Sequence, residues 1–282
     1  MDSPETATAP RRIIVAIDAS RHGSLILECA AGLAAAMQFE LAGLFVEDIN
    51  LLRLAELPFA SEIAYHNTAV RGLDKLRLEQ ALRRQSGEIR EQIHSIARRR
   101  GISHSFQVLR GQVATELLGA ALNTDILVLG KYSEAPIQFK RAGTTALTVA
   151  ARATLPVLII HDPNTLGNRT IIVYDEPRTI HEALPLLQHL LSQSDKRPVV
   201  VLYATEWSAH EALQAEAAQA LAAHGISADY RQLPSDGPED LIKCAEMARE
   251  GGLLVLPKHL IRHDTTAIQR LLEEGTCSLL LV

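Results

Sequence analysis

The sequence predicts an α/β protein of two domains, each a mainly parallel five-stranded sheet flanked by helices. Three observations predict it. Apolar runs of strand length alternate with segments of helical period. Several of those runs are apolar on both faces, as strands are when helices cover a parallel sheet from both sides. The pattern then restarts near Asn168, with the same short motifs in the same order.

Taken in order, "RRIIVAIDAS" holds a buried strand over 13–17 that ends at Asp18. "SLILECAAGLAAAMQ" follows as a helix, because Leu25, Leu27, Ala30, Leu33 and Ala36 recur at near-helical spacing. "ELAGLFVED" is a second strand. The stretch 49–65, with Pro58 inside it, is expected to be irregular. A long amphipathic helix carries Leu78, Leu82, Ile89, Ile93 and Ile96 on one stripe and stops at Gly101. "HSFQVLRG" is a strand, "QVATELLGAALNT" a helix, "DILVLG" a strand, "TTALTVAARA" a helix and "LPVLIIH" a fifth strand.

The second copy opens with "NRTIIVYDEP", continues with "RPVVVLYATE" and closes with "GLLVLPKHLIRHDTTAIQRLLEEGTCSLLLV". IIV recurs after 158 residues and VL-x-K after 127, so the second copy is 31 residues shorter between those marks. The missing length corresponds to the irregular stretch and much of the long helix. Two domains, 1–161 and 162–282, are expected, joined at "HDPNTLGN".

The 282 residues are 47% apolar but only 4% aromatic, so Ala, Leu, Ile and Val must fill the core. A net charge of −5 without a basic patch argues against nucleic acid as a partner. Cys29, Cys244 and Cys277 form no metal spacing and read as buried thiols of a reducing compartment. "MDSPETATAPRR" lacks the apolar core of a secretory signal, and no run reaches the ~18 apolar residues of a membrane span. A cytoplasmic location without membrane contact is the expectation.

The segments "IIVAIDAS", "GLFVED" and "LRGQVATELLGAALNTDILVLG", with the glycine loop that follows, resemble the universal stress protein family in its tandem two-domain form. The resemblance covers nearly the whole chain. It implies Rossmann-like domains of the adenine nucleotide alpha hydrolase type. Nucleotide-binding members carry Gly, two residues, Gly, nine residues, Gly, then Ser or Thr. Here Gly130 is followed by Ser133, nine residues, then Gly143 and Thr144, so the spacing is kept and the middle glycine is serine.

Parallel sheets of this kind bind ligands beyond the carboxyl ends of their strands, where Asp18, Val46 and Gly130 lie. The resemblance implies an adenine nucleotide, ATP with or without Mg²⁺, in the first domain. Asp18 would accept from the adenine amino group or a ribose hydroxyl, with Ala16, Ile17 and the backbone of Val46 beside the base. Leu129 and Gly130 would let backbone approach the ligand. Gly143, Thr144 and Thr145 would offer phosphate the free N–H groups of a helix start. Lys131, Lys140 and Arg141 would neutralise its charge. A Cβ at Ser133 could crowd a phosphate, or its hydroxyl could donate to one; both remain open. Glycine at a strand end and threonine at a helix start are also ordinary turn and cap chemistry, and only their joint spacing points to a nucleotide.

In the second copy Pro257 replaces the strand-end glycine and Asp264 the second one. Gly130 to Gly143 is 13 positions, but Pro257 to Asp264 is 7. With IIV aligned on IIV, Asp175 falls one residue early and is expected on the opposite face from Asp18. No nucleotide is expected there; the second domain is read as degenerate and structural. It would pair with the first as two family domains pair in a dimer, an intramolecular pseudo-dimer, with further homodimerisation open.

The function implied is stress adaptation or regulation, with a regulatory protein as a further partner. The alternatives are a scaffold of the same fold that holds no nucleotide, and a slow ATPase whose base would be Glu134. No Ser-His-Asp or Cys-His pattern is present, and catalysis is not expected. His259 and His263, four apart, read as solvated loop histidines rather than metal ligands, and His181, His189 and His210 are equally unsupported. The run 98–100, "RRR", reads as the basic last turn of its helix.

Overall fold

A computed structural model describes residues 11–18, 20–57, 61–63, 70–121, 126–131, 144–166, 168–192, 198–204, 209–234, 238–249, 251–261 and 265–282. The first part of the chain runs β1 (Arg12–Ala16), α1 (Arg21–Met37), β2 (Glu40–Asp48), α2 (Ile49–Leu54), β3 (Ser61–Ile63) and β4 (Val70–Gly72). It continues through α3 (Lys75–Arg100), β5 (His104–Gly111), α4 (Val113–Ala120), β6 (Ile126–Gly130), α5 (Thr144–Arg152) and β7 (Val157–Ile160). The stretch expected to be irregular therefore holds a short helix and the first strand of the β3–β4 hairpin. The second part runs β8 (Thr170–Tyr174), α6 (Pro177–Ser192), β9 (Val199–Ala204), α7 (Ala209–Ala222), β10 (Asp229–Pro234) and α8 (Pro238–Met247). After β11 (Leu253–Leu256) come a 3₁₀ turn (Lys258–Leu260), α9 (Thr265–Glu274) and β12 (Ser278–Leu281).

The two expected sheets are halves of one ten-stranded sheet, in the order β10-β9-β8-β11-β12-β7-β6-β1-β2-β5. Read outward from the middle, both halves have the same strand order. All pairs are parallel except β7 with β12, which join the halves antiparallel, Leu158 opposite Leu280. Helices α1, α3, α6 and α7 pack on one face; α4, α5, α8 and α9 pack on the other. Equivalent helices of the two halves thus share a face, so the halves are related by a two-fold rotation normal to the sheet.

Local chemistry places the helices. Ser20 caps α1, its Oγ accepting from the Gly23 N–H at 2.9 Å. Asp74 caps α3, accepting from Leu76 N–H at 2.8 Å. The long helix ends as expected at Gly101, whose φ of 65° is left-handed. Its stripe packs inward, with Ile89 and Ile93 buried. The basic run behaves as a helix end and also crosses to α1, where Arg99 and Arg100 both pair with Glu28.

Two lysines cross the seam between the halves in opposite directions. Lys131, just past β6, donates from Nζ to the carbonyl of Gly275 before β12. Lys258, just past β11, donates from Nζ to the carbonyl of Leu155 before β7. Their backbones match as well: Lys131 N–H donates to Ile160 at 2.9 Å and Lys258 N–H to Val282 at 2.7 Å. The recurrent VL-x-K motif is therefore a seam motif.

Burial lowers the pKa of both ammonium groups, that of Lys258 to about 8, against about 10.4 in an unfolded chain. Between the two values for Lys258 the unfolded chain holds a proton that the folded chain has released. Stability therefore rises with pH across that window; below about 8 both states are protonated and the cost of burying the charge is present in full. Urea unfolding from pH 7 to 10.5 is expected to show this rise, with a share on the order of 2 kcal/mol that vanishes in Lys258→Met. A profile that falls, or that is unchanged by the substitution, would contradict it.

Candidate functional site

In the first half, β1 lies between β6 and β2. The chain leaves its strands in opposite directions on either side of that point, which opens a crevice at their carboxyl ends. Val15 lies opposite Val128, and Ala16 opposite Leu44. Continued upward, that register sets Ile17 level with Gly130 and Asp18 level with Val46. Ile17 is buried and its N–H donates to Leu44 at 3.0 Å; Ala16, Asp18, Val46 and Gly130 are half-buried. Leu129 is buried and paired with Ile159. Helix α5 begins at Thr144, with Thr145 half-buried in its first turn. Ser133, Gly143, Glu134, Lys140 and Arg141 lie outside the described residues.

Asp18 is held from within. Its Oδ1 accepts from the Ser20 N–H at 3.2 Å and from the Ser20 hydroxyl at 2.5 Å. Ser20 in turn caps α1, so the carboxylate is tied to the start of that helix. Lys131 does not turn to the crevice. It is 2% exposed, and its ammonium reaches the carbonyl of Gly275 across the seam.

The structure adds basic groups that periodicity did not reveal. His22, in the first turn of α1, has Nε2 buried without a hydrogen-bond partner among the described residues. His161 follows β7, and its pKa is lowered by burial, with Lys131 and His22 adding in the same direction. Both lie on helix or loop starts with no sequence spacing in common, and only the fold brings them to one end of the sheet.

In the second half the tertiary register corrects one expectation. Leu253 lies opposite Thr170 and Val255 opposite Ile172, while Ile126 lies opposite Ile13 and Val128 opposite Val15. Thr170 is thus the counterpart of Ile13, and Asp175 is the counterpart of Asp18, on the same face. Aligning IIV on IIV misplaced it by one residue. The two aspartates are used differently. Oδ2 of Asp175 meets Nε2 of His259 at 2.5 Å, and Oδ1 accepts from Thr179 Oγ1 at 3.4 Å. Burial raises the Asp175 pKa, opposed by His259. His259, expected as a solvated loop histidine, is still exposed but has a hydrogen-bond partner in Asp175. Beside it a cleft of about 490 Å³ opens between the end of α5 and the start of α6, lined by Arg152, Arg178, Glu182 and Lys258 among others.

No family model and no curated protein matches the chain. Solved structures do. A universal stress protein from Archaeoglobus fulgidus DSM 4304 matches with a TM-score of 0.62 at 16% identity, over 96% of this chain and 95% of that one. The chain has the universal stress protein fold. A structure from Pseudomonas aeruginosa UCBPP-PA14, assigned to the same proteins, matches with a TM-score of 0.55 at 15% identity, over 98% of this chain and 94% of that one. A protein of unknown function from Pseudomonas aeruginosa PAO1 matches with a TM-score of 0.55 at 16% identity, over 98% and 93%. Among the described residues no helix is long and apolar enough to cross a membrane.

The site depends on Gly23 as well as on its polar residues. A Cβ there would stand 2.5 Å from both the carbonyl oxygen and Oδ1 of Asp18. Gly23→Ala is expected to drive Asp18 out of its place and to cost about 2–4 kcal/mol, cap loss and overpacking together. Ser20→Ala removes the cap and the hydroxyl's bond to Asp18 without any overpacking and should cost about 1 kcal/mol. Urea unfolding of the two variants checks this; an equal loss in both would contradict it.

Proposed function

We propose that the first half binds an adenine nucleotide, ATP, at the crevice beside β1, and that the protein acts in stress adaptation or regulation. The observation that carries this is the register that sets Asp18 level with Val46, and Ile17 with Gly130, at a topological switch point. The start of α5 at Thr144 supplies N–H groups without intrahelical partners. In this reading Ala16, Ile17 and Val46 flank the base, Asp18 accepts from it, and Leu129, Gly130, Ser133, Gly143, Thr144 and Thr145 surround the phosphates. Lys131 supplies charge through the sheet end, not a direct contact. Mg²⁺, if used, would sit with the phosphates. The matching stress protein from Archaeoglobus fulgidus supports the stress role.

The chain is then an internal duplication, 1–161 and 162–282, whose second copy is degenerate. There Asp175 is taken by His259, and Pro257 has no N–H to offer. One observation favours the rival, a scaffold without nucleotide: Asp18 and Lys131 are both engaged within the protein.

Calorimetric titration of the full chain with ATP decides between them. Binding should be seen and should weaken at least tenfold in Gly143→Asp, which puts a carboxylate at the phosphates. Neither heat nor a thermal shift at millimolar ATP would favour the scaffold.

A further inference from the structure

Away from the strand ends, another pair of ligating side chains converges. His94 lies on α3, and His104 opens β5, which is an edge strand of the sheet. Nδ1 of His94 and Nε2 of His104 are 3.3 Å apart. The ring centroids are 5.3 Å apart and the planes are inclined at 60°. Both side chains are exposed, in an open surface cleft of about 470 Å³ that Arg90, Glu91, Ser105 and Phe106 also line.

Rigid elements hold this pair. Ile93 and Ile96 fix α3 in the core on either side of His94, and His104 is paired with Leu41 of β2. In the neutral pair one ring nitrogen donates and the other accepts. The same separation suits an ion. Two imidazole nitrogens at about 2.0–2.1 Å from a tetrahedral centre stand about 3.3–3.4 Å apart. Small rotations of two exposed rings turn both lone pairs to one point.

The surroundings add a third donor. Glu91 is one helical turn before His94, at the i, i+3 spacing that places two side chains on one face. The nearby cation, Arg90, lies over the Phe106 ring at 5.5 Å. Ser105 is turned to Glu40, donating at 2.6 Å. Among the described residues no three His, Cys, Asp or Glu side chains already form a metal-binding group, so Glu91 has to swing onto the ion.

We propose that His94 and His104 form a chelate for a borderline divalent transition ion such as Zn²⁺, completed by Glu91 and water. Imidazole donors select such an ion over Mg²⁺, which prefers oxygen. The ion links α3 to the edge strand, and because it binds the folded chain it raises thermal stability by mass action.

The test is a calorimetric and thermal-shift titration of the full chain with Zn²⁺, with Mg²⁺ as the control. One ion should bind and raise the unfolding temperature, and X-ray absorption should show two imidazole nitrogens at about 2.0–2.1 Å. Affinity should fall at least tenfold in His94→Gln and in His104→Gln, and severalfold in Glu91→Gln. All three positions are exposed, and unchanged circular dichroism checks that the variants fold. Absence of binding at 100-fold excess over a ~1 µM affinity would overturn the proposal. So would binding that survives in the double histidine variant, which would assign the ion to other histidines.

Discussion

The antiparallel pairing of β7 with β12 is the constraint on which the rest of the structure depends. Every residue of Val157–Ile160 and of Ser278–Leu281 is buried. Either strand alone would be a sheet edge, with unpaired backbone groups and apolar side chains on both faces, an arrangement prone to association. Each covers the other, and the open edges are left to β5 and β10. Helices continue the seam on both faces, α1 against α6 and α5 against α9.

The seam also accounts for two buried lysines. An ammonium withdrawn from water is costly unless it is hydrogen-bonded. Lys131 and Lys258 each meet a carbonyl in the turn before the other half's central strand. Gly275 directly follows α9, so its carbonyl lies at the negative end of that helix dipole. The crossing ties the end of β6, where the first-half crevice lies, to the second half. A lysine that looks like a phosphate ligand in one half is thereby explained by its counterpart in the other, which makes the same crossing.

Equivalent positions of the two halves make different contacts within one fold. Asp18 supports the start of α1 through Ser20, whereas Asp175 is occupied by the imidazole of His259. In the second half His259, directly after Lys258, reaches that carboxylate. Sequence and fold thus separate: the strand order is common to both halves, and the site chemistry is not.

Much of this was legible in the residues themselves. Apolar runs of strand length, the stripe ending at Gly101 and the repeat of IIV and VL-x-K are local patterns, and they specify strands, helices and a recurrence without knowledge of packing. The position of Asp18 at a strand end followed from the same patterns. What they left undetermined was pairing. A one-residue difference in register is invisible in a run such as Thr170–Tyr174, where every side chain is buried and either alignment is apolar. Only the neighbouring strand β11 decided that Asp175 stands where Asp18 does. The merging of two sheets, the direction of Lys131 and the meeting of His94 with His104 likewise depend on contacts between distant segments. Those contacts are set by which edge is buried and against what, a property of the folded sheet and not of any one stretch of chain.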